Sequence, residues 1–290
     1  KVYPSLEPRV GLRVLLMKDL SFKASYQYVT QYLHLLSSSN VTLPIDLWVP
    51  VTANIPPMHS HQVAAGFFYN LLDKVDFSVE GYYKTMDNVL EYKDGASFVS
   101  STTGWEEKVN VGRGWSYGVE FLAQRTIGKF TGWVGYTWSR TERKFDRKGM
   151  EINNGEVFPA RYDRTHDLSV TLQYRPIKLI DLSATFIYGT GACGTLATQI
   201  APNGESFITK RYNYRMPDYH RLDLGINFHF DRPKGRYGEH LLNLSIYNVY
   251  NQQNPYYVYV GVDQNNKNKP ALCQVSLFPI LPSISYTFKF

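Results

Sequence analysis

The sequence predicts an all-β protein whose strands form a transmembrane antiparallel β-barrel. Three observations support this class: long segments of alternating apolar and polar residues, connections that alternate between short and long, and a high aromatic content. Tyr, Phe and Trp make up 15% of the 290 residues, and 23 residues are Tyr. Membrane barrels place such side chains in girdles at both membrane interfaces, so the composition suits that class.

The composition also excludes several other classes. Hydrophobic residues make up 43% of the chain, which is too many for a disordered protein. No apolar run approaches the roughly 20 residues that a membrane-spanning helix needs. The net charge of +6 comes from basic residues mixed with acidic ones, so we expect no nucleic-acid partner. Cys193 and Cys273 are too few for a disulfide-built scaffold, and a bond between them stays open.

Alternation with a period of two predicts eleven strands. The clearest is the C-terminal one, where Ile284, Tyr286, Phe288 and Phe290 alternate with polar residues. In chain order, the predicted strands cover approximately 9–17, 20–34, 62–72, 75–93, 115–124, 129–144, 168–174, 180–188, 222–230, 239–260 and 272–290. Many of them exceed the ~5–6 residues usual in a soluble β-sandwich or propeller, which is the main rival fold.

The alternation also assigns a direction to individual side chains. The residues expected to face lipid are Trp115, Tyr117, Val119, Leu168, Val170, Leu222, Leu224, Ile284, Tyr286 and Phe288. Those expected to face inward include Ser169, Thr171, Asp223, Asn227 and Ser285. Further polar residues predicted to line the lumen are Glu80, Lys84, Glu120, Gln124 and Lys289.

The connections between predicted strands are short at one end and long at the other, which is typical of outer-membrane barrels. The short ones lie at Lys18-Asp19, Asp73-Lys74, Gly128-Lys129, 176–179 and 233–235. The long ones cover about 37–61, 94–114, 145–165, 190–219 and 261–271. If the short turns are periplasmic, the last strand ends in the periplasm.

Four segments resemble a known family: GWSYGVE at 114–120, FPARYDRTHDL at 158–168, NLSIYNVYN at 243–251 and PSISYTFKF at 282–290. They are similar to TonB-dependent outer-membrane receptors, particularly those of Bacteroidetes-type bacteria. The resemblance implies a 22-stranded barrel that encloses an N-terminal plug. Eleven strands are half of that number, and single-chain bacterial barrels have an even number. We therefore expect 1–290 to be the C-terminal part, without the plug and the first barrel strands.

The resemblance implies active uptake of an unknown ligand across the bacterial outer membrane, driven by TonB through the missing N-terminal part. Other implied partners are the lipid bilayer, the outer-membrane assembly machinery and a surface lipoprotein. The terminal Tyr286, Phe288 and Phe290 resemble the assembly signal. The alternatives are a plugless diffusion porin, an outer-membrane enzyme and a soluble β binding module. An enzyme is not expected, because no catalytic constellation is recognisable.

Candidate ligand contacts are aromatic residues in the long loops, since aromatic faces suit sugars, siderophores or peptides. They are Trp48, Trp105, Tyr212, Tyr214, Tyr256 and Tyr257, with Tyr259 beside them, and loop packing is an equally good explanation. The charged segment 161–167 contains His166 and Asp167, which should point to opposite faces of a strand. We interpret it as a salt-bridged loop anchor. His59 and His61 lack further ligands, so neither a metal nor a cofactor is expected.

Overall fold

A computed structural model of the chain describes residues 1–37, 46–93, 96, 104–196, 199–200, 206–230, 238–262 and 270–289. Eleven long strands form the path of one antiparallel sheet, and each pairs with its neighbours in sequence, as predicted; Val157–Pro159 adds a short twelfth strand beside Phe130–Lys144. The strands are β1 (Arg9–Met17), β2 (Leu20–Gln31), β3 (Met58–Leu71), β4 (Val75–Tyr92), β5 (Val109–Arg125), β6 (Phe130–Lys144), β7 (His166–Ile177), β8 (Ile180–Gly189), β9 (Tyr219–Phe230), β10 (Glu239–Tyr247) and β11 (Leu281–Lys289).

The cross-strand registers align the residues predicted to face lipid in continuous rows on one side of the sheet. Val170 lies opposite Val134 on β6 and Phe186 on β8. Ile284 lies opposite Leu244 on β10. We call this side the apolar face. On inner strands, Val119 is 45% and Leu224 is 41% exposed, so these side chains are not packed in a soluble core, which argues against a β-sandwich.

The other side of the sheet carries the residues predicted to face inward, and we call it the polar face. Asn227 lies opposite Asp181 on one neighbour and Asn243 on the other. The predicted lumen residues Glu80 and Glu120 lie directly opposite each other. The side-chain directions predicted from alternation within single strands therefore agree with the pairing of all eleven strands.

Four of the five predicted short connections are confirmed. Lys18 and Asp19 form a turn between Met17 and Leu20. The next short connection holds Leu72 and Asp73 at φ 54°, in the left-handed region. The other two join β5 to β6 and β7 to β8. The predicted turn at 233–235 lies outside the described residues.

The prediction of one strand over 239–260 is wrong. β10 ends at Tyr247, and Pro255–Val262 pairs instead with Pro270–Ser276 in a separate hairpin. The chain leaves the sheet because Asn248 adopts φ 55°, a bend that alternation does not reveal. The Asn248 side chain secures that bend by accepting a hydrogen bond from the Gln252 N–H. The last strand accordingly begins at Leu281 rather than near 272.

The second predicted strand, 20–34, is also too long, since β2 ends at Gln31 and Leu33–Ser37 pairs with Asp46–Pro50. Further short strands lie in the long connections, at Val157–Pro159, Cys193–Gly194, Gln199–Ile200, Ser206–Phe207 and Tyr214–Arg215. Single-turn 3₁₀ helices cover Trp105–Lys108 and Asn153–Gly155. Among the described residues, no helix is long and apolar enough to cross a membrane.

Candidate ligand-binding end of the sheet

Three of the long connections, those after β2, β6 and β8, pack around the tip of the β4–β5 hairpin at one end of the sheet. The strand ends that form this tip, 89–92 and 109–112, are buried. A bulge at Asn88, with φ 61°, shifts the register between Asp87 and Val89. The tip therefore presents a new set of side chains to each side.

A packed core lies on each side of the hairpin tip. The first loop core consists of Leu36, Val49, Ile55, Leu90, Tyr92, Val109 and Val111. The second loop core consists of Val89, Phe145, Ile152, Phe158, Cys193 and Tyr212. A Cβ added at Gly112 would lie 2.6 Å from the Cδ1 atom of Phe145, so a glycine here lets the ring approach the backbone.

A buried carboxylate joins three segments beside the second loop core. Glu91 is 3% exposed and forms a salt bridge with Arg143 of β6. The Tyr212 hydroxyl donates a 3.0 Å hydrogen bond to Glu91 Oε2. Burial, with the Glu91 charge as a smaller cause, raises the pKa of Tyr212 and keeps it a donor. Arg211 donates a 2.6 Å hydrogen bond to the Tyr92 carbonyl oxygen, so the 190–218 connection is bound to the hairpin tip.

A second buried carboxylate confirms the interpretation of 161–167 as a salt-bridged loop anchor. Asp163 is buried, lies 2.5 Å from Arg215 Nη2, and accepts a 2.7 Å hydrogen bond from the Thr141 backbone N–H. His166 instead bonds the Tyr136 hydroxyl, while Asp167 lies 3.9 Å from Arg164. His166 and Asp167 therefore have different partners.

The six aromatic residues predicted to contact a ligand occupy different parts of this end. Trp48 is 59% exposed, whereas Trp105 packs against the first loop core. Tyr256 is exposed, and its ring contacts that of Tyr257 at 5.8 Å between centroids. Tyr212 is only 6% exposed, and its ring stacks on that of Phe158 at 5.4 Å.

Tyr212 therefore holds the loops together in this structure, and Tyr214 beside it is half-buried. The ligand-contact prediction stays open for the residues with accessible rings. The two cysteines are free: Cys193 lies in the second loop core, where burial raises its pKa, and Cys273 lies in the 270–276 strand.

One polar cluster was missed by the sequence reasoning. Arg221 lies at the loop end of the polar face and donates to the hydroxyls of Tyr219 at 2.6 Å and Tyr247 at 2.7 Å. Its Nε donates to both Asp223 oxygens at 3.0 Å. The spacing of 219, 221 and 223 places three polar groups on one strand face, and that signal was available. Tyr247 lies on β10, so its contact with Arg221 could not be predicted without knowing how the strands pair.

An antiparallel sheet with an apolar face, a polar face and long connections at one end is the wall of an outer-membrane β-barrel. Residues 2–251 match the family described as TonB dependent receptor-like, beta-barrel, and the chain belongs to that family. The family consists of receptors of the bacterial outer membrane. No curated protein matches the sequence.

Several solved structures share the fold. The chain is similar to the ferric-catecholate import receptor Fiu from E. coli K12, with 14% identity over 97% of this chain and a TM-score of 0.58. It is similar to the FrpB iron transporter from Neisseria meningitidis, with 15% identity over 99% and a TM-score of 0.59. The ferripyoverdine receptor of Pseudomonas aeruginosa, at 14% identity over 98%, gives 0.60. This chain spans 34%, 38% and 33% of their respective lengths.

Proposed function

We propose that the chain is the C-terminal part of a TonB-dependent transporter that takes up a ligand across the outer membrane. The observation that carries this proposal is the family match over 2–251 on a sheet with one apolar and one polar face. In this proposal, loops capture the ligand, and the proton gradient, acting through TonB, rearranges a plug that lies outside 1–290. The chain makes and breaks no covalent bond.

The two edges of the sheet support the presence of further strands in the working barrel. Every residue of β1 and of β11 is exposed. Unpaired backbone groups at a sheet edge cannot find hydrogen-bond partners in lipid. Pairing with additional strands of the same barrel, about eleven for a 22-stranded wall, would remove both edges.

The proposed orientation places the short turns and the C-terminus in the periplasm. Tyr286 and Phe288 lie exposed on the apolar face of β11, as an assembly signal for the outer-membrane machinery requires. Phe290, the third residue of that signal, lies outside the described residues. A surface lipoprotein partner would contact the long-loop end.

The ligand class to test first is a ferric chelate. Two of the similar proteins are a ferric-catecholate import receptor and a ferripyoverdine receptor. The Arg221 cluster does not favour either charge on the ligand, because Asp223 pairs with its guanidinium. Sugars and peptides are the rival ligands.

The test is uptake by cells that express the full-length natural protein containing this chain. Radiolabelled ferric chelates should enter only when TonB is present and the proton gradient is intact. A matched strain without tonB and a proton uncoupler are the two controls. Equal uptake without TonB would indicate a diffusion porin, and turnover of a peptide or lipid by the purified protein would indicate an enzyme.

A further inference from the structure

Histidine–tyrosine pairs recur on the apolar face. Five of the seven histidines lie on this face, and in each the imidazole Nδ1 is hydrogen-bonded to a Tyr hydroxyl. The pairs are His59 with Tyr28, His61 with Tyr26, His166 with Tyr136, His220 with Tyr250, and His240 with Tyr286. Four lie toward the long-loop end, and the His240 pair lies toward the short-turn end.

The pairing determines what each imidazole offers to its surroundings. When the Tyr hydroxyl donates to Nδ1, the ring proton is on Nε2. Each pair then carries an N–H donor on Nε2, and within the part of the chain that the structure describes only the Nδ1 atoms of these rings form hydrogen bonds. Such a donor would be costly among acyl chains but is satisfied by phosphate or ester oxygens.

The positions of three pairs follow a straight line across the sheet. Directly opposite pairings lead from His61 on β3 to Glu142 on β6, whereas His166 on β7 lies opposite Trp138. After four steps from strand to strand, His166 is therefore four residues nearer the short-turn end than the row of paired residues through His61. Directly opposite pairings lead from His220 on β9 to Leu168 on β7. After two steps from strand to strand, His220 is therefore two residues nearer the short-turn end than the row through His166. The line therefore descends one residue per strand throughout.

This slope equals that of a membrane plane drawn on a tilted barrel wall. One residue advances about 3.4 Å along a strand, and neighbouring strands lie about 4.8 Å apart. A line that descends one residue per strand is inclined by about 35° to the hydrogen-bond direction. Strands of outer-membrane barrels tilt by about 35–45° from the membrane normal. The three histidines accordingly lie at one depth.

The fifth pair lies one membrane thickness away from that line. His240 lies opposite Phe230, ten residues along β9 from His220. Because the line descends by one residue between β9 and β10, His240 lies about nine residues below it, or roughly 30 Å along the strand. At a tilt of about 35° the vertical separation is about 25 Å, which is the height of the apolar band in these barrels.

We propose that the pairs form two interfacial belts in which the outward Nε2–H groups bind the phosphate oxygens of lipid headgroups. The belt at the long-loop end contains His59, His61, His166 and His220, and the opposite belt contains His240. The proposal rests on the sheet being the membrane wall of the proposed transporter. It goes further by fixing the depth of named residues and the chemical group that each contacts.

Spin-label depth measurements test the geometry. The full-length protein, with Cys193→Ala and Cys273→Ser, would carry one nitroxide at a time on His61→Cys, His166→Cys or His220→Cys. Val63→Cys, Leu168→Cys and Leu222→Cys are matched controls, two residues deeper on the same face of the same strands. In vesicles of phosphatidylethanolamine and phosphatidylglycerol, the three belt labels should share one depth, and each control should lie about 5 Å deeper.

A depth difference of about 20 Å between the His61 and His220 labels would overturn the belt, because it would mean that the membrane follows the register rows. That result would leave uptake untouched. Full water accessibility at all six positions would contradict the membrane wall itself, and with it the proposed function.

Lipid retention tests the headgroup contact. The variant with His59→Phe, His61→Phe, His166→Phe and His220→Phe keeps the rings and removes the N–H donors. Native mass spectrometry with added phosphatidylglycerol should show at least a threefold loss of bound lipid. His229→Phe on the polar face is the control and should retain lipid like the parent. Unchanged retention in the fourfold variant would overturn phosphate binding.

Discussion

The membrane-facing part of the sheet and its loop end are formed by the same strands, but they treat apolar side chains differently: the first exposes them and the second buries them. On the apolar face, side chains such as Ile284 and Tyr286 are 71% and 60% exposed. At the loop end of β4 and β5, Phe145 is fully buried and Leu36 is 1% exposed. The large buried apolar side chains of the described chain belong mainly to the two loop cores. Within the described residues, the packed apolar cores therefore lie at the loop end of the sheet.

The difference follows from what surrounds each region. Lipid covers the apolar face, so those side chains need no second layer of protein. Water surrounds the loop end, where apolar residues must bury one another and polar groups need partners. Glu91 and Asp163, both buried and paired with arginines, occur at the loop end for this reason. The comparison predicts that equivalent substitutions have different consequences in the two regions.

The largest expected effect is the loss of an aromatic ring from the second loop core. Phe145→Ala should destabilise the loop end by about 3–5 kcal/mol, because the ring is fully buried and its space stays empty. Hydrogen exchange of 89–92 and 109–112 in the full-length protein would measure this. Phe67→Ala on the apolar face is the matched control, and lipid should fill its space without altering loop exchange. Equal loop exchange in both variants would contradict a separate loop core.

The second effect separates the two faces within the sheet. Leu224→Arg should destabilise the barrel by about 2–4 kcal/mol if that site lies near the bilayer midplane. Asn227→Arg, three residues further along the same strand on the polar face, should cost much less. A folding titration in lipid vesicles would compare the two variants. Equal destabilisation would show that the faces are wrongly assigned.

A smaller effect probes the closeness of packing at the hairpin tip. Gly112→Ala should cost about 1–3 kcal/mol, because the new Cβ would lie 2.6 Å from the Phe145 ring and 2.7 Å from the Lys144 carbonyl oxygen. Gly11→Ala on β1 is the control, since nothing lies within 4 Å of its added Cβ. The readout is the exchange of 109–112, and a neutral Gly112→Ala would mean that the loop core tolerates an extra methyl group.

The sequence was a better guide to the sheet than to the loop end, and the reason is physical. In a wall with lipid on one side, each strand must alternate by itself, so Val170 and Ile284 could be assigned from local sequence. The bends at Asn88 and Asn248 depend on positive φ angles stabilised by distant groups, such as the Pro57 carbonyl that accepts from Asn88. The burial of Tyr212 depends on Glu91, which lies 121 residues away.

The smallest expected effect is a pH dependence confined to the first loop core. His34 is buried, and its Nε2 donates a 2.9 Å hydrogen bond to the Pro56 carbonyl oxygen. Burial lowers the pKa of His34 below the usual 6.5, and the Pro56 bond opposes that shift only in part. The unfolded segment therefore binds a proton more readily than the folded one. The stability of the first loop core is consequently full above about pH 6.5 and declines as the pH falls below that value. Hydrogen exchange of Leu33–Ser37, corrected for intrinsic rates, should quicken between pH 7.5 and about 5.5, whereas exchange in β7 and β8 should not. A His34→Phe variant should lose this pH response, because a phenyl ring has no proton to bind. If the variant kept the response, the titrating group would lie elsewhere, and the loop end would be coupled to charges that the first loop core does not contain.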